Sequence, residues 1–155
     1  MLLAEVSMFP ESSSAALVPS ETLPACWFAL IMKEVEDMAP KFGFAPDLEA
    51  RFAAADLGLE NSGLSYQRLA PNFRMPFGHR HKQQEEVYVI VSGSGRVKLD
   101  DEIAEVGEWD VVRVPGDTMR AFEVGPQGIE LLAIGAPNTG PPADDVDMQP
   151  GWWND

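Results

Sequence analysis

Two histidines lie two residues apart, just upstream of a pair of glutamates: His79 and His81, then Glu85 and Glu86. The 155-residue chain contains no other histidine. On a β-strand, residues i and i+2 point to the same face, so both imidazoles can reach one point. Lys82-Gln83-Gln84 can turn the chain, and Glu85 or Glu86 then opens the next strand with a carboxylate aimed at that point. Two neutral imidazoles and one carboxylate suit a divalent Fe, Mn, Ni or Zn ion with coordination positions left open. The bland alternative is two surface histidines with no shared task. Other chemistries fit poorly. The histidines are too close together to serve separate roles in a Ser-His-Asp triad, and no G-x-S-x-G occurs. Gly93-Ser94-Gly95 is too short for a phosphate loop and lacks the following lysine and helix. Cys26 lies in an atypical N-terminal segment with no histidine near it in sequence, which argues against a nucleophile.

These residues need a frame to hold them, and the chain offers strands. Runs at 48–55, 63–70, 85–93, 95–100, 103–106, 109–115, 119–124 and 129–135 are short and rich in β-branched or aromatic residues. Each is bounded by Gly, Pro, Asn or Asp. Ser92-Gly93-Ser94-Gly95 and Asp100-Asp101 read as turns between strands. About eight such strands predict an all-β sandwich or small barrel. Before them, 33–39 predicts a short helix ended by Pro40. Within 85–93, Tyr88 and Ile90 share the parity of Glu86 and are expected to face the interior. Tyr88 then either binds a ligand through its hydroxyl or is core with a satisfied hydroxyl. Tyr66 and Arg68 alternate onto one face, as pocket mouth or as surface. Val87, Val89 and Val91 take the opposite parity, so this strand is apolar on both faces. A second protomer is the natural cover for them; the N-terminal segment or the C-terminal tail is the other.

His79-x-His81-x4-Glu86-x6-Gly93 resembles the first conserved motif of the cupin superfamily, with its most specific part at 78–95 and its full extent from about Leu48 to Pro137. Glu86 fits that spacing better than Glu85. The resemblance implies a double-stranded β-helix, a small antiparallel barrel, as in a small single-domain bacterial cupin. It implies metal ligation by His79, His81 and Glu86, a turn at Gly93, and a dimer. The second cupin motif is degenerate: in EWDVVRVPGDTMRAF, Asp110, Pro115 and Gly116 fit, but Arg120 stands where the fourth ligand, a histidine, is expected. A guanidinium cannot ligate a metal. Two outcomes follow. In one, three residues hold the ion and Arg120, beside Tyr88, steadies an anionic ligand such as a carboxylate or enolate. In the other, no metal binds and Arg120 pairs with Glu86.

Composition narrows the partners. The net charge of −14 repels phosphates, which argues against nucleic acid and anionic membrane. The longest apolar run, 25–32, is too short to span a bilayer. A single cysteine excludes an internal disulfide and fits a reducing cytoplasm. No base precedes Lys33, so no secretory signal is expected. Residues 1–31 read as a loose extension, or alternatively as a strand and short helix on the body, and 32–155 as one cupin domain. The tail at 136–155 is Pro-rich and acidic, and its Trp152 and Trp153 are expected to dock on the barrel or to bind a partner. The reading is a cytoplasmic, homodimeric cupin that binds a small molecule, as a metal-dependent enzyme or as a metal-free binder.

Overall fold

The computed structural model describes residues 32–137 and 142–154. The expected N-terminal extension and Cys26 lie outside the described residues. Eight strands form one curled antiparallel sheet: β1 (Leu48–Phe52), β2 (Gly63–Leu69), β3 (Phe77–His81), β4 (Glu86–Leu99), β5 (Glu102–Gly107), β6 (Val111–Val114), β7 (Arg120–Gly135) and β8 (Val146–Pro150). The order is β1-β2-β7-β3-β8, and β4 pairs with β5, β6 and β7. This is the jelly-roll barrel expected from the sequence, with Leu48, Phe52, Leu69, Ile90, Phe122 and Leu131 among its buried core.

Two long strands replace four expected short ones. β4 and β7 pair from Glu86↔Gly135 to Leu99↔Arg120, with register breaks between Ile90 and Ser92 and between Gly93 and Gly95. The turn expected at Ser92–Gly95 is instead a bend inside β4. Gly93 adopts φ 83°, and a Cβ there would collide with the carbonyl oxygen of Gly128. The glycines let two strands cross closely and bend without ending the ladder. Opposite them, 125–128 bulges out of β7.

The expected helix at 33–39 is absent. Two 3-10 turns, Met32–Glu34 and Ala39–Phe42, stand there, and Pro40 lies inside the second. Asp37 explains the break: its Oδ1 accepts from Ala39 N at 3.0 Å and from Ala50 N at 2.9 Å, tying the segment to β1. A proline is tolerated in a first helical turn, where its missing N–H has no partner to lose.

The C-terminal tail is more ordered than its composition implied. A short helical turn, α1 (Pro142–Asp145), leads into β8, which pairs with β3 from Phe77↔Pro150 to His81↔Val146. Trp152 lies so close to Gly78 that a Cβ at that position would collide with the indole. Trp153 is buried, with the Arg74 and Arg96 guanidinium groups 5.0 and 5.5 Å from its ring centroid. The expected docking of the tryptophans on the barrel is therefore present, and it brackets the strand that carries both histidines.

Candidate metal centre

β3 alternates as the i, i+2 spacing requires. His79 and His81 are buried, while Arg80 between them is exposed and paired with Asp147. The chain then bends through 82–85 and re-enters the barrel on β4. Strand parity decides between the two glutamates. Glu86 is buried together with Tyr88 and Ile90, whereas Glu85 lies outside and pairs with Arg113. The turn at Pro115-Gly116 supports the site from the far side, because Gly116 O accepts from His81 N at 2.7 Å.

One ligand atom each from His79, His81 and Glu86 lie within 4.8 Å of one another. Small rotamer adjustments bring that spread within reach of metal–ligand bonds of about 2.1 Å. Both ring nitrogens of His79 and Oε1 of Glu86 are buried without a hydrogen-bond partner. Each such atom costs about 1–3 kcal/mol if left unsatisfied. An ion bound between the three residues would satisfy one His79 nitrogen and Oε1 together, so the residues fit a divalent metal.

The other carboxylate oxygen is already engaged. Glu86 Oε2 accepts from Arg120 Nη2 at 2.7 Å and from the Tyr88 hydroxyl. Arg120 begins β7 in register with His79 and is fully buried. Its remaining donors reach the Tyr88 hydroxyl at 3.3 Å and the carbonyls of Thr118, Gly116 and His79 at 3.0, 3.4 and 3.5 Å. The residue in place of the fourth histidine thus serves as an internal countercharge to the Glu86 carboxylate. Tyr88 touches the same carboxylate.

The electrostatics keep the set ready for a cation. Burial holds the His79 imidazole well below its ordinary range, so it is neutral with a lone pair to offer. Burial pushes Glu86 up, but the buried Arg120 guanidinium, which donates to Oε2 at 2.7 Å, outweighs it and holds the carboxyl well below the usual carboxylate range. Burial, with the Glu86 charge, pushes the Tyr88 hydroxyl up, so it stays protonated. A pH dependence follows. Below 6.5, the ordinary value for histidine, the unfolded chain takes a proton on His79 that the folded chain refuses. Below 4.5 the same holds at Glu86. Stability of the metal-free protein therefore falls as pH drops from 7 to 4. Urea titrations at stepped pH check this, and a rise in stability between pH 7 and 5 contradicts it.

Four buried polar residues escaped the sequence reading: Ser65, Gln67, Asp145 and Gln84, which reads as a turn residue but whose Nε2 donates to Ala136 O at 2.6 Å. Asp145 of α1 is buried, with Oδ2 2.9 Å from His81 Nδ1. No spacing rule links a tail residue to a histidine 64 positions earlier. Ser65 and Gln67 of β2 are also fully buried, and Gln67 Oε1 has no partner. Their signal was available: they share the parity of Leu69. The opposite parity carries Tyr66 and Arg68, and the structure places these outward. Arg68 is exposed and paired with Glu49.

No family model and no curated protein matches the chain. Solved structures do. A cupin protein from Bacteroides fragilis is 29% identical over 59% of this chain and 78% of its own, with a TM-score of 0.54. A cupin-2 domain from Rhodospirillum rubrum is 18% identical over 66% of this chain and 64% of its own, with a TM-score of 0.53. Oxalate decarboxylase from Bacillus subtilis, in a structure concerned with its Mn(II) centres, is 25% identical over 64% of this chain, with a TM-score of 0.55. The chain spans 28% of that enzyme's length. A jelly-roll barrel, an HxHx4E set converging inside it, and these likenesses agree: the chain is a member of the cupin superfamily.

Proposed function

We propose that this cupin binds one divalent metal ion through His79, His81 and Glu86 Oε1, with a small anionic molecule beside it in the barrel. The observation that carries this reading is the group of buried, unpartnered atoms, His79 Nδ1 and Nε2 and Glu86 Oε1, in a set whose third member is His81. The Mn(II) centres of the Bacillus subtilis relative support a hard or borderline cation, so Mn, Fe, Ni and Zn are the candidates. Charge supports the anion. Glu86 and Arg120 cancel, and Asp145 offsets one of the two metal charges. One positive charge would remain in a buried space, which favours a carboxylate or enolate over a neutral ligand. The bound ion would supply Lewis-acid or oxygen-activating chemistry.

A second reading has its own observation. The Arg120–Glu86 ion pair, at 2.7 Å and fully buried, favours a metal-free barrel in which the guanidinium stands in for the ion and the pocket binds a small molecule without catalysis. Native mass spectrometry of untagged protein separates the two by reporting ion, small molecule and subunit number together. One ion per chain supports the metal reading. Less than a tenth of an equivalent after loading with Mn, Fe, Ni or Zn supports the other.

We infer a homodimer through the outer face of the sheet. Leu64, Ile134 and Val87 lie in register across β2, β7 and β4, and Tyr66, Leu132, Val89 and Val111 form the adjoining row. Ile134 and Val111 are 41% and 62% exposed. The tryptophan tail packs elsewhere, on Gly78 and the core. Light scattering at micromolar concentration is expected to give twice the chain mass of 17.0 kDa, and Val111→Glu with Ile134→Glu the single mass. A native monomer contradicts this interface. No helix of the described residues is long and apolar enough to cross a membrane. The single cysteine supports a cytoplasmic location.

A further inference from the structure

We propose that Asp145 is a positioning residue for the metal centre: its carboxylate accepts the Nδ1 proton of His81 and so fixes the tautomer whose Nε2 faces Glu86. This rests on the metal-binding reading above. His81 Nδ1 and Asp145 Oδ2 are 2.9 Å apart, and both groups are buried. On the other side of the ring, His81 Nε2 is 3.5 Å from Glu86 Oε2. An ionised carboxylate only accepts hydrogen bonds, so the nitrogen facing it must carry the proton. The coordinating lone pair then falls on Nε2.

Asp145 is itself fixed at three points. Its Oδ1 accepts from Gln83 N at 3.0 Å, and its carbonyl accepts from Lys82 N at 2.8 Å. The next residue, Val146, pairs with His81 across β3 and β8. One carboxylate therefore caps the turn between β3 and β4 with one oxygen and orients a metal ligand with the other. Carboxylates behind metal-binding histidines commonly act in this way, setting tautomer and ring orientation. His79 has no such support, since neither of its ring nitrogens has a hydrogen-bond partner and its Nε2 only faces Glu86 Oε2 at 3.9 Å. The two histidines are thus unequal: His81 is preset, and His79 adjusts to the ion. The C-terminal segment, with β8 and its tryptophans, becomes part of the site rather than an appendage to the barrel.

Asp145→Asn tests the assignment. Asparagine keeps an oxygen for Gln83 N but turns an NH2 group toward His81. That donor requires Nδ1 to accept, which moves the ring proton onto Nε2, the coordinating atom. Long-range proton–nitrogen NMR of the metal-free protein is expected to show His81 protonated at Nδ1 in the native chain and at Nε2 in the variant. Calorimetric titration with Mn2+ and Zn2+ is expected to show affinity falling by about 10- to 100-fold in the variant, with little change in the thermal midpoint of the metal-free protein. Asp145→Ala loses the turn cap as well and is expected to lower both. A native His81 protonated at Nε2 overturns the assignment. So does Asp145→Asn protein that binds both ions within twofold of native. If native protein binds neither ion but its tautomer switches on substitution, the metal reading falls and with it the role at a metal centre, while the assignment of the His81 tautomer to Asp145 stands.

Discussion

Replacing Arg120 with methionine is expected to destabilise the metal-free protein by about 3–5 kcal/mol, the usual cost of stripping one partner from a buried ion pair. The guanidinium is fully buried, bonds Glu86 Oε2 at 2.7 Å, and donates to the Tyr88 hydroxyl and three carbonyls. Methionine fills much of the same volume, so the loss reports the stranded carboxylate rather than a cavity. At this chain length each kcal/mol moves the midpoint by roughly 2–4 °C, which gives a drop on the order of 10 °C. The companion change Glu86→Gln with Arg120→Met removes both charges and is expected to recover much of the loss. Urea unfolding of the single and double variants checks this. A single-variant loss below about 1 kcal/mol would mean that water or another group already serves Glu86, as it does for surface pairs.

Exchanging both histidines for alanine is expected to end metal binding. Structural zinc sites gain about 10–16 kcal/mol from their ligand sets. Losing two of three protein ligands should therefore cost several kcal/mol, a fall in affinity of more than about a thousandfold. Stability gives a second readout. At a free ion concentration of about 100 times the dissociation constant, binding adds about 2.7 kcal/mol to the native protein. A midpoint rise of roughly 5–10 °C follows. The His79→Ala/His81→Ala variant is expected to show none of it. Differential scanning calorimetry with and without Mn2+ or Zn2+ measures both. An equal rise in the variant would place the ion elsewhere, on the many surface carboxylates of a chain with net charge −14.

The centre of the site was legible because two periodicities meet there. The i, i+2 spacing on β3 puts both imidazoles on one face, and the parity of β4 selects Glu86, Tyr88 and Ile90 for the interior. Strand boundaries were less legible. Gly93 reads as a stop in sequence, yet its freedom at φ 83° lets β4 bend and continue. Ser65 and Gln67 were missed although their parity with Leu69 was in view, because a polar residue suggests solvent unless the barrel needs it within. Asp145 could not be read at all. Its role depends on β8 pairing with β3, and β8 is a short, mostly exposed strand that ends in proline, whose alternation of Val146 and Met148 with Asp147 and Gln149 buries no face. Arg120 was placed by alignment with a motif, but its partners follow from the register His79↔Arg120, which only the folded chain supplies.

A crystal of untagged protein soaked in Mn2+, with diffraction recorded at an energy that makes the ion's anomalous signal visible, addresses the site itself. The expected result is one strong peak about 2.0–2.3 Å from His79, His81 and Glu86 Oε1, with Arg120 still on Oε2. An interior without a peak, while Arg120 remains on Glu86 and both imidazoles stay uncoordinated, would contradict metal binding and leave the ion pair as what occupies this barrel.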